Sequence, residues 1–241
     1  LQLDLGIKQM KFRAGILLML LNQLLMGQKG LELGPWVQYQ SVWILNETDM
    51  DAGPQMDYKN SFNTAYGIQA SYGFTKRHGI RSGLIRSVQG QLYTTAEDFL
   101  ALPGITYKTV LDYFQIPFQY RYSGDLSKSK SVFNFTLGPQ LGVLLKASVD
   151  SLVQNQANNS ALIQEGINGS QLYTKTDLGI LAGIGFARRF GGRITFKTGL
   201  NFSYSINDIE VAKFKPLNRG ESQNATVGVH FGLFYLFRKI D

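Results

Sequence analysis

The sequence predicts an all-β chain: an eight-stranded antiparallel up-and-down transmembrane β-barrel, preceded by a signal peptide. Three observations predict it. The first is residues 131–146, SVFNFTLGPQLGVLLK, which set Phe133, Phe135, Leu137, Pro139, Leu141, Val143 and Leu145 at one parity and Asn134, Thr136, Gly138, Gln140, Gly142, Leu144 and Lys146 at the other. Side chains of a strand alternate between its two faces, so this stretch has one apolar face and one small or polar face. It is much longer than the ~5–6 residues usual in globular strands and long enough for the ~9–11 that cross a bilayer at a slant. The second is that six further stretches share this alternation and a seventh, about 80–93, follows it less regularly. The third is that the connections run long, short, long, short, long, short, long, as in an even-stranded barrel with tight turns at one rim and longer loops at the other. A soluble lipocalin-type barrel would hide its apolar face in the lumen. Here the polar parity is rich in glycine and the apolar parity is aromatic at its ends, which points the apolar parity at lipid.

At the N-terminus, Met10, Lys11, Phe12 and Arg13 precede the apolar run AGILLMLLNQLL and the small residue Gly27. A basic start, an apolar run of about a dozen residues and a small residue describe a secretory signal peptide, too short for the ~20 residues of a membrane-spanning helix. Residues 1–9 read as an upstream extension of the reading frame. The expected division is therefore 1–27, extension plus signal peptide, and 28–241, one β-barrel domain.

The first strand spans about 31–45, with Leu33, Pro35, Val37, Tyr39 and Trp43 opposite Gly34, Trp36, Gln38 and Gln40. A turn-rich acidic loop, 46–60, leads to the second, about 61–75. There Tyr66, Ile68, Ala70, Tyr72 and Phe74 oppose Gly67, Gln69, Ser71 and Gly73, and 76–79 reverses the chain. In the third, about 80–93, Arg81, Arg86, Gln89 and Gln91 do not share one parity, and a β-bulge near Ile85 is expected to repair this. The fourth, about 105–122, points Phe114, Ile116, Phe118, Tyr120 and Tyr122 one way and Tyr113, Gln115, Pro117, Gln119 and Arg121 the other. Pro117 lacks an N–H for the ladder and predicts a local irregularity. The opening stretch is the fifth strand. Residues 149–171, rich in Asn, Gln and Ser, form the longest connection. The sixth, about 172–187, sets Leu178, Ile180, Ala182, Ile184 and Phe186 against Asp177, Gly179, Gly183 and Gly185. After a tight turn at 188–192, the seventh spans 193–205. A polar loop, 206–221, precedes the eighth, about 222–238, where Val227, Val229, Phe231, Leu233 and Tyr235 oppose Gly228, His230, Gly232 and Phe234.

Composition agrees. The 241 residues include 26 glycines and 12% aromatics, which suit a crowded lumen and interfacial girdles. A mean hydropathy of −0.08 argues against a helical membrane protein but not against a barrel, half of whose strand residues are polar. The absence of cysteine removes disulfides and thiol chemistry. The net charge of +7 comes from Lys and Arg spread over strand ends and turns, without the clustering that nucleic acid requires.

Two strands resemble those of a known family. YFQIPFQYRY, within the fourth, looks like the Tyr-x-x-Ile-Pro strand of the PorT-like outer-membrane β-barrel proteins of the Bacteroidota, and LGPQLGVLLK, within the fifth, resembles their Gly-Pro-x-x-Gly strand. The likeness covers roughly 28–241. It departs in a more basic third strand and in four residues beyond Phe237. The resemblance implies a Gram-negative outer-membrane location and a link, through the family's founding member, to type IX secretion and gliding. With both termini periplasmic, the long connections lie outside.

An eight-stranded lumen is just wide enough for side chains to fill, so a plugged barrel is expected rather than an open pore. Glu32, Arg81, Arg121, Lys146, Asp177 and Lys197 are read as a structural network of lumen charges. Of the two histidines, His78 falls in a short turn and His230 faces the lumen, and neither register suits a lipid-modifying hydrolase. Glu47, Asp49, Asp51 and Asp57 lack the spacing of an EF-hand. No catalytic residue, cofactor or metal is assigned. The expected function is a small structural or interaction scaffold with surface loops. The alternatives are an accessory of a type IX secretion or gliding machinery and an outer-membrane lipid-modifying enzyme. The expected partners of this monomeric barrel are outer-membrane lipid, lipopolysaccharide included, and periplasmic or surface proteins.

Overall fold

The computed structural model describes residues 30–51, 57–94, 105–126, 128–155, 160–215 and 217–237. The signal-peptide reading of 1–27 lies outside the described residues. Ten strands follow in chain order: β1 (Leu31–Asn46), β2 (Asp57–Lys59), β3 (Ser61–Gly73), β4 (His78–Thr94), β5 (Ile105–Ser123), β6 (Ser131–Asn155), β7 (Ser160–Asn168), β8 (Thr176–Phe190), β9 (Ile194–Ser205) and β10 (Ser222–Leu236). A five-residue helix, α1 (Glu47–Asp51), follows β1.

Eight of these described strands close on themselves in an antiparallel ring, β1-β3-β4-β5-β6-β8-β9-β10, with β10 returning to β1. Closure leaves the ring itself without the unpaired edges that an isolated sheet must otherwise protect. Short turns join β3 to β4, β5 to β6 and β8 to β9 at one rim, the turn end, where β1 begins and β10 finishes. Gly191 and Gly192 in the β8–β9 turn take φ of 56° and 82°, the left-handed conformation that glycine adopts without strain. The other rim, the loop end, carries the long connections.

Burial follows strand parity. Along β1, Glu32, Gly34, Trp36, Gln38, Gln40, Val42, Ile44 and Asn46 are buried inward, while Leu31, Leu33, Pro35, Val37 and Tyr39 stand exposed on the outer wall. β10 repeats this with Gly228, His230, Gly232 and Phe234 inside and Val227, Val229, Phe231, Leu233 and Tyr235 outside. The buried set is dominated by Gln, Asn, Ser, Thr and charged residues, and the exposed set by large apolar ones. That is the reverse of a water-soluble barrel.

The structure departs from the sequence reading in five places. No bulge interrupts β4 at Ile85, since its registers with β3 and β5 run unshifted through that residue. Arg86 lies off the lumen parity because it points outward, where its guanidinium pairs with Asp112 (Nη2–Oδ2 2.6 Å) and donates to the Tyr66 hydroxyl (3.4 Å). A register shift falls instead between β5 and β6 at Asp112/Tyr113, where Asp112 faces Lys146 and Tyr113 faces Leu144, leaving Leu145 as the extra residue. One added residue reverses the faces beyond it. Lys146 is therefore exposed on the outside, not in the lumen. β6 also runs on to Asn155 and pairs with β7, so much of the 149–171 connection is a hairpin extending from the wall. The sixth barrel strand begins at Thr176 rather than near 172 and continues to Phe190. The acidic 46–60 loop contains α1, and β2 pairs with the end of β4. At Pro117 the β4–β5 pairing lapses between Ser82↔Phe118 and Ile85↔Gln115 and resumes in the same register.

Candidate functional site

The lumen is the candidate site, and alternation builds it in three layers. Near the turn end, inward positions of β5, β8 and β9 converge on Glu32 of β1, which is 4% exposed. Lys197 Nζ donates to its Oε2 at 2.5 Å, Arg189 Nη2 to its Oε1 at 3.3 Å and Thr195 Oγ1 to Oε1 at 3.2 Å. Arg121 Nη1 lies 3.8 Å from Oε2. Lys197 also reaches Ser71 Oγ at 3.3 Å and sits 4.1 Å from the centre of the Phe234 ring, a cation–π contact. Arg81, 2% exposed, points into the same layer.

The middle layer is neutral. Trp36 and His230 stack with ring centres 6.1 Å apart. Asn201 Nδ2 donates to Gln38 Oε1 (2.8 Å), Gln38 Nε2 to Gln40 Oε1 (2.7 Å) and Gln40 Nε2 to Ser87 Oγ (3.0 Å), a chain of amides crossing the barrel. Such a chain satisfies buried polar atoms without net charge. A cavity of about 10 Å³ bounded by Trp36, Gln38, Gln115, Gln140 and Asn201 has room for roughly one water.

At the loop end, Asp177 accepts from Asn224 Nδ2 at 2.8 Å, and the same amide lies 3.3 Å from the Tyr113 hydroxyl. Above it, Ile44, Leu111, Tyr113, Ala147, Tyr173 and Ile209 form a buried apolar cluster. Ile209 and Tyr173 come from loops that fold inward over the mouth. Arg219 fastens this cap: its guanidinium holds both Asp49, which is buried, and Glu210 (Nε–Oε2 2.8 Å). Lys215 pairs with Asp208. Burial tends to raise the Asp208 pKa, but the Lys215 hydrogen bond and the backbone N–H groups of Ser222 and Glu210 outweigh it and hold the carboxyl below its usual range.

Of the six residues read as lumen charges, Glu32, Arg81, Arg121 and Lys197 share the turn-end layer. Asp177 is inside but stands apart from them near the other rim, and Lys146 is outside. Sequence reasoning missed Arg189. It lies on the inward parity of Asp177, Gly183 and Ala187, and would have emerged had the sixth strand been carried past Ala187. It also missed the Arg219 clasp, which joins residues 170 apart in sequence and has no local signal. His78 Nδ1 contacts the Tyr120 hydroxyl on the outer wall, and both ring nitrogens of His230 lack hydrogen-bond partners, so neither ring is linked to a serine and a carboxylate. Among the described residues no group of three or more His, Cys, Asp or Glu gathers to hold a metal ion.

Solved structures to which the chain is similar include OprG from Pseudomonas aeruginosa, at 12% identity over 88% of this chain and 97% of that one with a TM-score of 0.46. Neisserial surface protein A matches at 10% identity, 86% and 97% coverage and a TM-score of 0.43. Ail, the attachment invasion locus protein of Yersinia pestis, matches at 10% identity, 86% and 99% coverage and a TM-score of 0.41. None of the curated proteins matches the chain significantly in sequence. The outer membrane protein beta-barrel domain family matches residues 30–211, most of the barrel, and the chain belongs to that family as a small eight-stranded outer-membrane β-barrel.

Proposed function

We propose that this chain is a closed scaffold in the outer membrane, with its termini and short turns on the periplasmic side and its loops and the β6–β7 hairpin displayed outside. The observation that carries this reading is the filled lumen. A charged layer, an amide layer and the apolar cluster of Ile44, Leu111, Tyr173 and Ile209 succeed one another between the rims, and Arg219 clasps the cap to Asp49 and Glu210. A barrel plugged this way offers surfaces rather than a path. Its partners in this reading are outer-leaflet lipid, lipopolysaccharide included, and surface proteins meeting the loops, with the barrel itself a monomer.

The Tyr-x-x-Ile-Pro and Gly-Pro-x-x-Gly strands support a finer placement among the PorT-like proteins. The exposed basic turn residues Lys76, Arg77, Arg188 and Arg193 favour a second reading, an accessory of type IX secretion that meets periplasmic partners through those turns. Gene deletion that leaves secreted cargo unchanged rejects that second reading.

The main reading is tested in planar bilayers. Purified barrel is expected to insert without discrete conductance steps. Reproducible single-channel steps from the wild-type chain would replace the closed scaffold with a pore.

A further inference from the structure

The turn-end layer of the lumen does not balance its own charge. Three cations, Arg121, Arg189 and Lys197, gather around one carboxylate, Glu32, and a fourth, Arg81, lies cross-strand from Ser71, which Lys197 reaches. Asp177, the other buried lumen acid, is engaged with Asn224 near the opposite rim. Lys197 and Arg189 have direct hydrogen bonds to Glu32, but the two remaining guanidinium groups do not. Arg81 is 2% exposed, and its Nε and Nη2 have no hydrogen-bond partner. Arg121 reaches Glu32 only at 3.8 Å, and its Nε is likewise buried and unpartnered. A guanidinium carries five donors in a planar fork, and burying one without acceptors is strongly unfavourable.

The surroundings suit a negative visitor. The layer lies just inside the turn end, where Gly73 and Gly79 border Arg121: a Cβ at Gly79 would come within 3.1 Å of Arg121 Nη2. Around the same rim, Lys76, Arg77, Lys128, Lys130, Arg188 and Arg193 are exposed, with Asp125 the described acid of these turns. A ring of one sign leading to a low-dielectric mouth of the same sign concentrates counter-ions there.

We infer that the turn-end lumen is a binding site for one small oxyanion of the phosphate or sulfate class, held between the Arg81 and Arg121 guanidinium groups beside the Glu32–Lys197 pair. Paired guanidinium forks match the geometry of such an oxyanion. The ion completes the network by lowering its net charge and accepting the donors that Glu32 cannot reach. The site needs the layer itself and not the scaffold reading, so its test is separate from conductance.

The test is the thermal stability of the purified barrel in neutral detergent, read from the temperature at which the compact band on an unheated gel gives way to the unfolded one. Inorganic phosphate and sulfate are titrated against sodium chloride at equal ionic strength. A ligand that binds only the folded state stabilises it in a concentration-dependent way. Phosphate and sulfate are expected to raise the transition by several degrees and to saturate, while chloride at matched ionic strength does not. Arg81→Gln is expected to abolish the increment while leaving the barrel at least as stable as the wild type without oxyanion, because it removes one excess buried cation. Arg121→Gln is expected to behave alike, and Lys213→Ala, at the far rim, is expected to keep the full increment. Equal stabilisation by chloride means general screening and overturns the site. So does an Arg81→Gln barrel that keeps the phosphate increment, or one that is destabilised by the same amount at every phosphate concentration.

Discussion

Replacing Glu32 with alanine is expected to cost the barrel about 3–5 kcal/mol, the usual penalty for leaving a buried charge without its partner. The site makes the effect large. Lys197 is 2% exposed, and its ammonium has Glu32 Oε2 as its only carboxylate at 2.5 Å among the described residues. Arg121 and Arg189 lean on the same group. Alanine at 32 leaves four cations, Arg81 included, facing one another in a lumen that solvent scarcely enters. Urea unfolding in detergent measures the loss. The paired variant Glu32→Ala with Lys197→Met is expected to lose less than Glu32→Ala alone, because the second change removes an orphaned charge and leaves an apolar chain against Phe234. Equal losses would mean that the orphaned Lys197 charge is not what destabilises Glu32→Ala.

Leu200→Lys carries the second large effect. Leu200 lies mid-way along β9 on the outer wall, across from Val229 on one side and Ile184 on the other, and is exposed. A lysine on the lipid face of a barrel costs about 2–4 kcal/mol near the bilayer midplane and about 0–1 near the interfaces. Thr64→Lys, also outward but near the loop end of β3 beside Tyr39, is the matched control. Unfolding from lipid vesicles is expected to separate the two by about 2 kcal/mol or more. In a wall that faced water, the two substitutions would cost much the same.

These expectations rest on features that differ in how far sequence exposes them. Parity along 131–143 settles which face of β6 points outward, because each residue is constrained by its neighbour at two places away and no distant contact is needed. The strand count and the alternation of connection lengths follow for the same reason. What the sequence hid depends on pairing. Lys146 lies on the polar parity of its strand, but the extra residue at Leu145 turns it outward, and two adjacent leucines give no sign of where a bulge falls. Arg86 broke parity in the sequence and invited a bulge. Its explanation is Asp112 on the neighbouring strand, a partner that appears only once β4 and β5 are in register. The β7 extension was masked by its composition, since Asn, Gln and Ser favour loops and only the ladder to β6 shows the hairpin. The six charges read as one network divide into four that share a layer, one that pairs elsewhere and one outside, a division that parity alone does not contain.

The apolar outer wall is bathed in lipid and the polar face is enclosed. Nitroxide labels placed one at a time at 226, 227, 229, 230, 231 and 233 of β10, in reconstituted bilayers, probe this arrangement residue by residue. Collision rates with oxygen and with a water-soluble nickel chelate report lipid and water respectively. Labels at Val227, Val229, Phe231 and Leu233 are expected to meet oxygen freely and nickel little, while labels at Thr226 and His230 meet little of either. High nickel collision at the four outward positions would mean that the outer wall faces water.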